Sequence, residues 1–118
     1  DFANTPKVLE SSSFKEALAE MSRHKMGLVV ITNSKNQVMG ILTDGDLRRL
    51  IERGSDIKTI NLAEAITGNP RTIPPELIAE EAIEMMEHYR INHLIVADTN
   101  KILLGALNLH DLFAAKVI

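Results

Sequence analysis

Shifting the chain by 65 residues lays Gly40-Ile41-Leu42-Thr43-Asp44-Gly45-Asp46-Leu47 over Gly105-Ala106-Leu107-Asn108-Leu109-His110-Asp111-Leu112 without a gap. The same offset pairs Glu16-Ala17-Leu18 with Glu81-Ala82-Ile83, Met21 with Met86, and Leu28-Val29-Val30-Ile31 with His93-Leu94-Ile95-Val96. Any fold for this chain must therefore be built from one small βα unit used twice. A repeat that keeps its Gly and Asp while changing the residues between them points to two related pockets, one of them diverged. At 118 residues the chain is one compact body or two very small ones, burying roughly two thirds of its unfolded surface.

Each copy reads as strand, helix, strand, strand, helix. Lys7-Val8-Leu9 is a short strand, and Ser13 with Glu16 has the spacing of a capping box ahead of the apolar stripe Phe14, Ala17, Leu18 and Met21. Leu28 to Thr32 is too short for a helix, Asn33-Ser34-Lys35-Asn36 is a turn by composition, and Val38 to Leu42 returns. A second helix follows Thr43-Asp44-Gly45-Asp46. In the second copy the corresponding parts are Arg71-Thr72-Ile73, a helix over Leu77 to Tyr89, strands at Leu94 to Ala97 and Ile102 to Leu107, and a helix from Asp111. Ile78 stands where Ser13 stood, so Pro74-Pro75 is expected to start that helix. The helix-like Asn61 to Ile66 precedes the second copy, and its counterpart would fall before or astride residue 1. The first repeat, residues 1–58, is thus expected to begin part-way through its unit, with residues 59–118 as the second.

Composition excludes several kinds of function. Three Phe, one Tyr and no Trp leave little for stacking on single-stranded bases, and a net charge of −3 gives no basic footprint for a phosphate backbone. Without Cys there is no disulfide frame or thiolate metal site. His24, His88 and His93 lack partners at metal-ligand spacing. Apolar runs are far shorter than a membrane span, and no signal peptide is apparent, which leads us to expect a cytoplasmic protein binding neither nucleic acid nor membrane. No Ser-His-Asp set, activated Cys or carboxylate pair emerges, so no catalytic machinery is expected here.

The chemistry concentrates between Gly40 and Asp46, where a strand gives way to a helix. Helix N-terminal amides favour an anion there. Gly45 permits backbone approach, Thr43 offers a hydroxyl, and Asp46 could accept from two vicinal ribose hydroxyls. The plainer alternative is that Thr43 or Asp44 caps the helix and Gly45 relieves a tight turn. Recurrence of the Asp as Asp111 favours a ligand, on the reasoning that a cap needs no fixed acid three residues along. On the same reading Asp46→Ala weakens binding and leaves the fold intact. Asn108 replaces Thr43 and could still donate, while His110 in the place of Gly45 serves either an anion or packing. Arg48-Arg49 either meets a second phosphate or lies on a solvated helix face, and Lys25 and Arg90 match at the helix-to-strand turns.

These residues resemble a pair of cystathionine-β-synthase-type (CBS) domains, the Bateman module, over essentially the whole chain. Gly40, Thr43 and Asp46 fit that family's Gly-x-x-Thr-x-x-Asp ribose-phosphate pattern, from which Asn108 departs. The run Gly40 to Arg49 with Leu107 to Leu112 is more specifically similar to the C-terminal CBS pair of D-arabinose 5-phosphate isomerases. The resemblance implies an α+β (mixed α/β) fold of tandem βαββα repeats about a pseudo-twofold axis, with two clefts. It also implies a regulatory role beside an N-terminal sugar-isomerase domain that interconverts ribulose 5-phosphate and arabinose 5-phosphate for Kdo and lipopolysaccharide synthesis. No cofactor is required. The implied ligand is a nucleotide or nucleotide-sugar, either the end product CMP-Kdo or AMP/ATP, held by Thr43, Asp44, Gly45, Asp46 and Asp111. Lys7, Val8, Gly27 and Leu28 would frame the base, and His93, Asn108 and His110 would meet the sugar acid. The implied assembly is a homodimer of CBS pairs within a larger homo-oligomer, which also leaves open a ligand-free oligomerisation module.

Overall fold

A computed structural model describes residues 5–24, 26–77 and 79–108. The elements run β1 (Lys7–Leu9), α1 (Phe14–His24), β2 (Leu28–Thr32), β3 (Val38–Thr43), α2 (Asp44–Glu52), α3 (Leu62–Ala65), β4 (Thr67–Gly68), β5 (Thr72–Ile73), α4 (Ala79–Tyr89), β6 (His93–Ala97) and β7 (Leu103–Asn108). They form a mixed α+β fold with one sheet ordered β1-β2-β3-β4 and another ordered β5-β6-β7. The helix expected from Asp111 lies outside the described residues. None of the described helices is long and apolar enough to cross a membrane.

The repeat is kept down to the ladder. β2 and β3 pair antiparallel from Leu28↔Thr43 to Thr32↔Val38, and β6 and β7 from His93↔Asn108 to Ala97↔Leu103. Every pair is displaced by the same offset, and the register shift at Ile31/Thr32 recurs at Val96/Ala97. The connecting turns match as well. Asn33 Oδ1 accepts from the amides of Lys35 and Gln37, as Asp98 Oδ1 does from Asn100 and Ile102. Asn36 and Lys101 both take the left-handed conformation that closes such turns.

All of β2 is buried because both of its faces are covered. Val29 and Ile31 pack with Phe14, Ala17, Met21, Leu42 and Leu50 under the helices, whereas Leu28 and Val30 join Val38, Ile41, Ile95, Ala97, Leu103 and Ala106. That second cluster is the joint between the sheets. On the far side Ile73, Ala82, Ile83, Met86, Leu94 and Val96 form the helix-side core of the second repeat. The joint is tied at one end by reciprocal backbone bonds, Val38 N–H to the Lys101 carbonyl at 2.8 Å and Leu103 N–H to the Asn36 carbonyl at 2.9 Å. Exchanging the repeats exchanges these bonds, as a pseudo-twofold axis requires.

One local expectation changes. The Pro74-Pro75 pair makes a turn, with Leu77 N–H bonded to the Pro74 carbonyl, and α4 begins at Ala79. Proline has no N–H and holds the preceding residue extended, which suits a turn entered from β5. The segment ahead of the second repeat packs on the first. Leu62 and Ala65 enter the core beneath α1 and α2, and β4 pairs with β3 through Gly40↔Gly68 and Ile41↔Thr67. A Cβ on Gly40 would stand 2.8 Å from the Thr67 carbonyl and 2.8 Å from Ile66 Cδ1, so the glycine lets β4 approach β3.

Candidate functional site

The end of the sheets opposite the tied turns opens into a cleft of about 810 Å³, within the usual range for small-molecule sites. Met26 and Ile91, Gly27 and Asn92, and Thr43 and Asn108 line it as matched pairs, so the cleft straddles the axis. Arg48 comes to it from the first repeat and Arg90 from the second, with Asp44, Gly45 and His93 completing the wall. Two arginines and one aspartate thus share the lining. A flanking cleft of about 480 Å³ shares Ile91 and His93 and adds Ile41, Thr67, Asn69, Pro70, Arg71 and Tyr89. Shifted back by one repeat, part of that wall falls on residues 1–4, outside the described residues.

Thr43 begins α2 as an N-cap, and its neighbours dictate which amides stay available. Its hydroxyl accepts from Asp46 N–H at 3.1 Å, and Asp46 Oδ2 in return accepts from Thr43 N–H at 2.9 Å. This is a reciprocal capping box with Asp in the place more often held by Glu. The Asp44 amide donates to the Gly27 carbonyl at 3.0 Å. Gly27 has φ +78°, and a Cβ there would meet Asp44 Oδ2 at 2.9 Å, so glycine serves both the turn and the close approach. Among the described residues no acceptor is paired with the Gly45 amide, which leaves it in the cleft wall at the positive end of α2.

Of the residues singled out by sequence, Gly27, Thr43, Asp44, Gly45, His93 and Asn108 come together in the central cleft. Lys7, Val8 and Leu28 do not. Lys7 and Val8 lie by the Asn33 turn, where Lys7 Nζ donates to Asn36 Oδ1 at 3.0 Å, and Val8 packs against the helix-side core. Leu28 is sealed in the joint between the sheets. His110 and Asp111 lie outside the described residues. Asp46 is only 6% exposed and sits behind the wall, its Oδ1 accepting from Thr67 Oγ1 at 3.2 Å and from the Arg49 guanidinium. In the first copy the acid three residues after the cap has a structural duty: Asp46 is the capping partner of Thr43.

His93 takes the position of Leu28 in the second copy and faces both clefts. Burial pushes its imidazole below the usual pKa, and the Asp46 carboxylate opposes that shift. Arg71, Thr67 and Tyr89 escaped sequence reasoning. The Arg71 guanidinium lies 3.3 Å from the centre of the Tyr89 ring, a stacking that holds both at the flanking cleft. Tyr89 is the one tyrosine of the chain, and Arg71 stands opposite Pro6 in the repeat. Comparing copies finds what they share, and this pair is peculiar to the second.

The family profile of the CBS domain matches residues 3–53 and 62–117. The chain belongs to the CBS domain family. Over 113 residues this CBS pair is 39% identical to the arabinose 5-phosphate isomerase KdsD of Pseudomonas aeruginosa, which covers 96% of this chain and 35% of that protein. The pair therefore spans about a third of the length of the curated relatives it matches. The crystal structure of CBSX2 in complex with AMP superposes with a TM-score of 0.84 at 21% identity, covering 98% of this chain and 89% of that one. A CBS domain protein from Pyrobaculum aerophilum complexed with AMP gives a TM-score of 0.81 at 21% identity, covering 91% and 82%. The CBS pair shares the fold of both.

Proposed function

We propose that this CBS pair, with residues 1–58 and 59–118 as its repeats, is a cytoplasmic nucleotide-binding regulatory module whose phosphate subsite is the central cleft. The observation that carries this reading is that Arg48 and Arg90, one from each repeat, line one cleft with Gly45 at the start of α2. Cations from two repeats and an unpaired amide suit a phosphate, which would bridge the repeats. The similarity to KdsD supports an attached sugar-isomerase unit acting on ribulose 5-phosphate and arabinose 5-phosphate. AMP in two relatives of the same fold supports a nucleotide. A ligand that binds two arrangements of the repeats unequally would shift the catalytic unit between them.

The ligand's identity separates two forms of this reading, an end-product sensor for CMP-Kdo and an adenine-nucleotide sensor. Thermal unfolding with CMP-Kdo, CMP, AMP and ATP decides between them. A ligand at 100 times its dissociation constant adds about 2.7 kcal/mol, a rise of roughly 10 °C in Tm for a domain near this size. Exposure of Leu9, Met39, Ile51 and Ile57 favours a second reading, in which the pair is an assembly module. Sedimentation showing an oligomer, with no thermal shift from any of the four nucleotides, would establish that instead.

A further inference from the structure

The Asp46 carboxylate has no acceptor capacity to spare. Oδ2 accepts from the Thr43 amide at 2.9 Å and from Thr43 Oγ1 at 3.0 Å, while Oδ1 accepts from Arg49 and from Thr67 Oγ1 at 3.2 Å. A carboxylate offers about four lone-pair sites, so sugar hydroxyls find none open. The two oxygens differ in how firmly they are held. Oδ2 belongs to the capping box and cannot be vacated without undoing the start of α2. Oδ1 is held by groups from outside the box. The Arg49 side chain is 65% exposed, and Thr67 sits on the exposed two-residue strand β4, where it also lines the flanking cleft.

We propose that Arg49 and Thr67 are selectivity residues that guard Asp46 Oδ1, and that a ribonucleotide enters by exchanging its vicinal 2′- and 3′-hydroxyls for them. The inference rests on the nucleotide reading given above. The exchange balances: two donors leave Oδ1 and two hydroxyls replace them, so the buried carboxylate is never left without partners. A ligand lacking the diol cannot make that replacement. It either leaves Arg49 and Thr67 in place or binds without touching Asp46. Selection against such ligands therefore comes from residues the ligand displaces, and its strength is set by how tightly Arg49 is held.

Calorimetric titration of the full chain and of Arg49→Met with AMP, CMP and their 2′,3′-dideoxy analogues tests this. Arg49→Met keeps the apolar stem and a good helix former while removing the guanidinium. Its expected effect is tighter ribonucleotide binding by about two- to fivefold, the worth of a half-exposed ion pair, with the dideoxy analogues unchanged. Thr67→Val, which removes the other guard without touching α2, is expected to act in the same direction. Weaker ribonucleotide binding by Arg49→Met would make Arg49 a donor to the ligand and overturn the proposal. An equal change for both ligand types would do so too. If nucleotides bind the wild type irrespective of the diol, the exchange alone falls. If none binds either protein, the nucleotide reading falls with it.

Discussion

At the scale of single residues, Thr43 and Asp46 have two duties that pull mutational results apart. Thr43→Ala removes the hydroxyl that accepts from Asp46 N–H and so the cap of α2. The expected loss is about 1–2 kcal/mol, read as a lower urea midpoint, and Thr43→Ser should recover most of it. Asp46→Ala is no longer expected to leave the fold intact, because it strands the donors of Thr43 and Thr67 that the carboxylate now satisfies. A binding defect in that variant must be separated from its stability defect. His93 gives a prediction in pH. Its folded pKa is lowered by burial, so the unfolded chain binds the proton more tightly. The contribution is fully present above the unfolded value near 6.5 and is lost as pH falls through it toward the lower folded value. His93→Leu, which installs the residue of the first copy, should flatten the fall in stability between about pH 7 and pH 5; an unchanged slope would clear His93 of that role.

At the scale of elements, two glycines in one motif answer to different neighbours. Gly40→Ala drives a methyl into the β4 backbone and Ile66, with an expected cost of about 1–3 kcal/mol. Gly45→Ala meets only Thr43 Oγ1 at 3.6 Å and Arg49 Nη1 at 3.7 Å, ordinary contacts. It is expected to fold at least as stably, as alanine suits a helix better by about 0.5–1 kcal/mol, while the added methyl crowds the cleft wall and weakens anion binding. Denaturation and nucleotide titration of both variants check the contrast. Much of this architecture was legible in the chain. The offset and the apolar runs anticipated β2, β3, β6 and β7, and the Ser13 box is present, with Ser13 N–H donating to Glu16 Oε1 at 2.9 Å. What stayed hidden was non-local. Nothing in Thr67-Gly68 says that two residues will cross to the sheet of the first repeat, since that pairing is set by the space Gly40 leaves. The sequence singled out Asp46 as a candidate ligand residue, but its capping role was hidden, because aspartate is the less usual partner in such a box.

At the scale of the molecule, the apolar joint explains why neither repeat is expected to stand alone. Leu28, Val30 and Ile41 of one sheet meet Ile95, Ala97 and Ala106 of the other, and separation would expose both faces to water. The cleft exists only because the two sheets meet, so its arginines come from both repeats. The reciprocal backbone bonds between the Asn36 and Lys101 turns also acquire a mechanical meaning. They tie the repeats at one end of strands about six residues long, roughly 20 Å from the cleft at the other. A rotation of one degree about those turns would move the cleft walls by roughly 0.3 Å over that length. An anion held by both walls, as proposed above, would therefore fix the angle between the repeats, and with it the direction in which anything joined to them points.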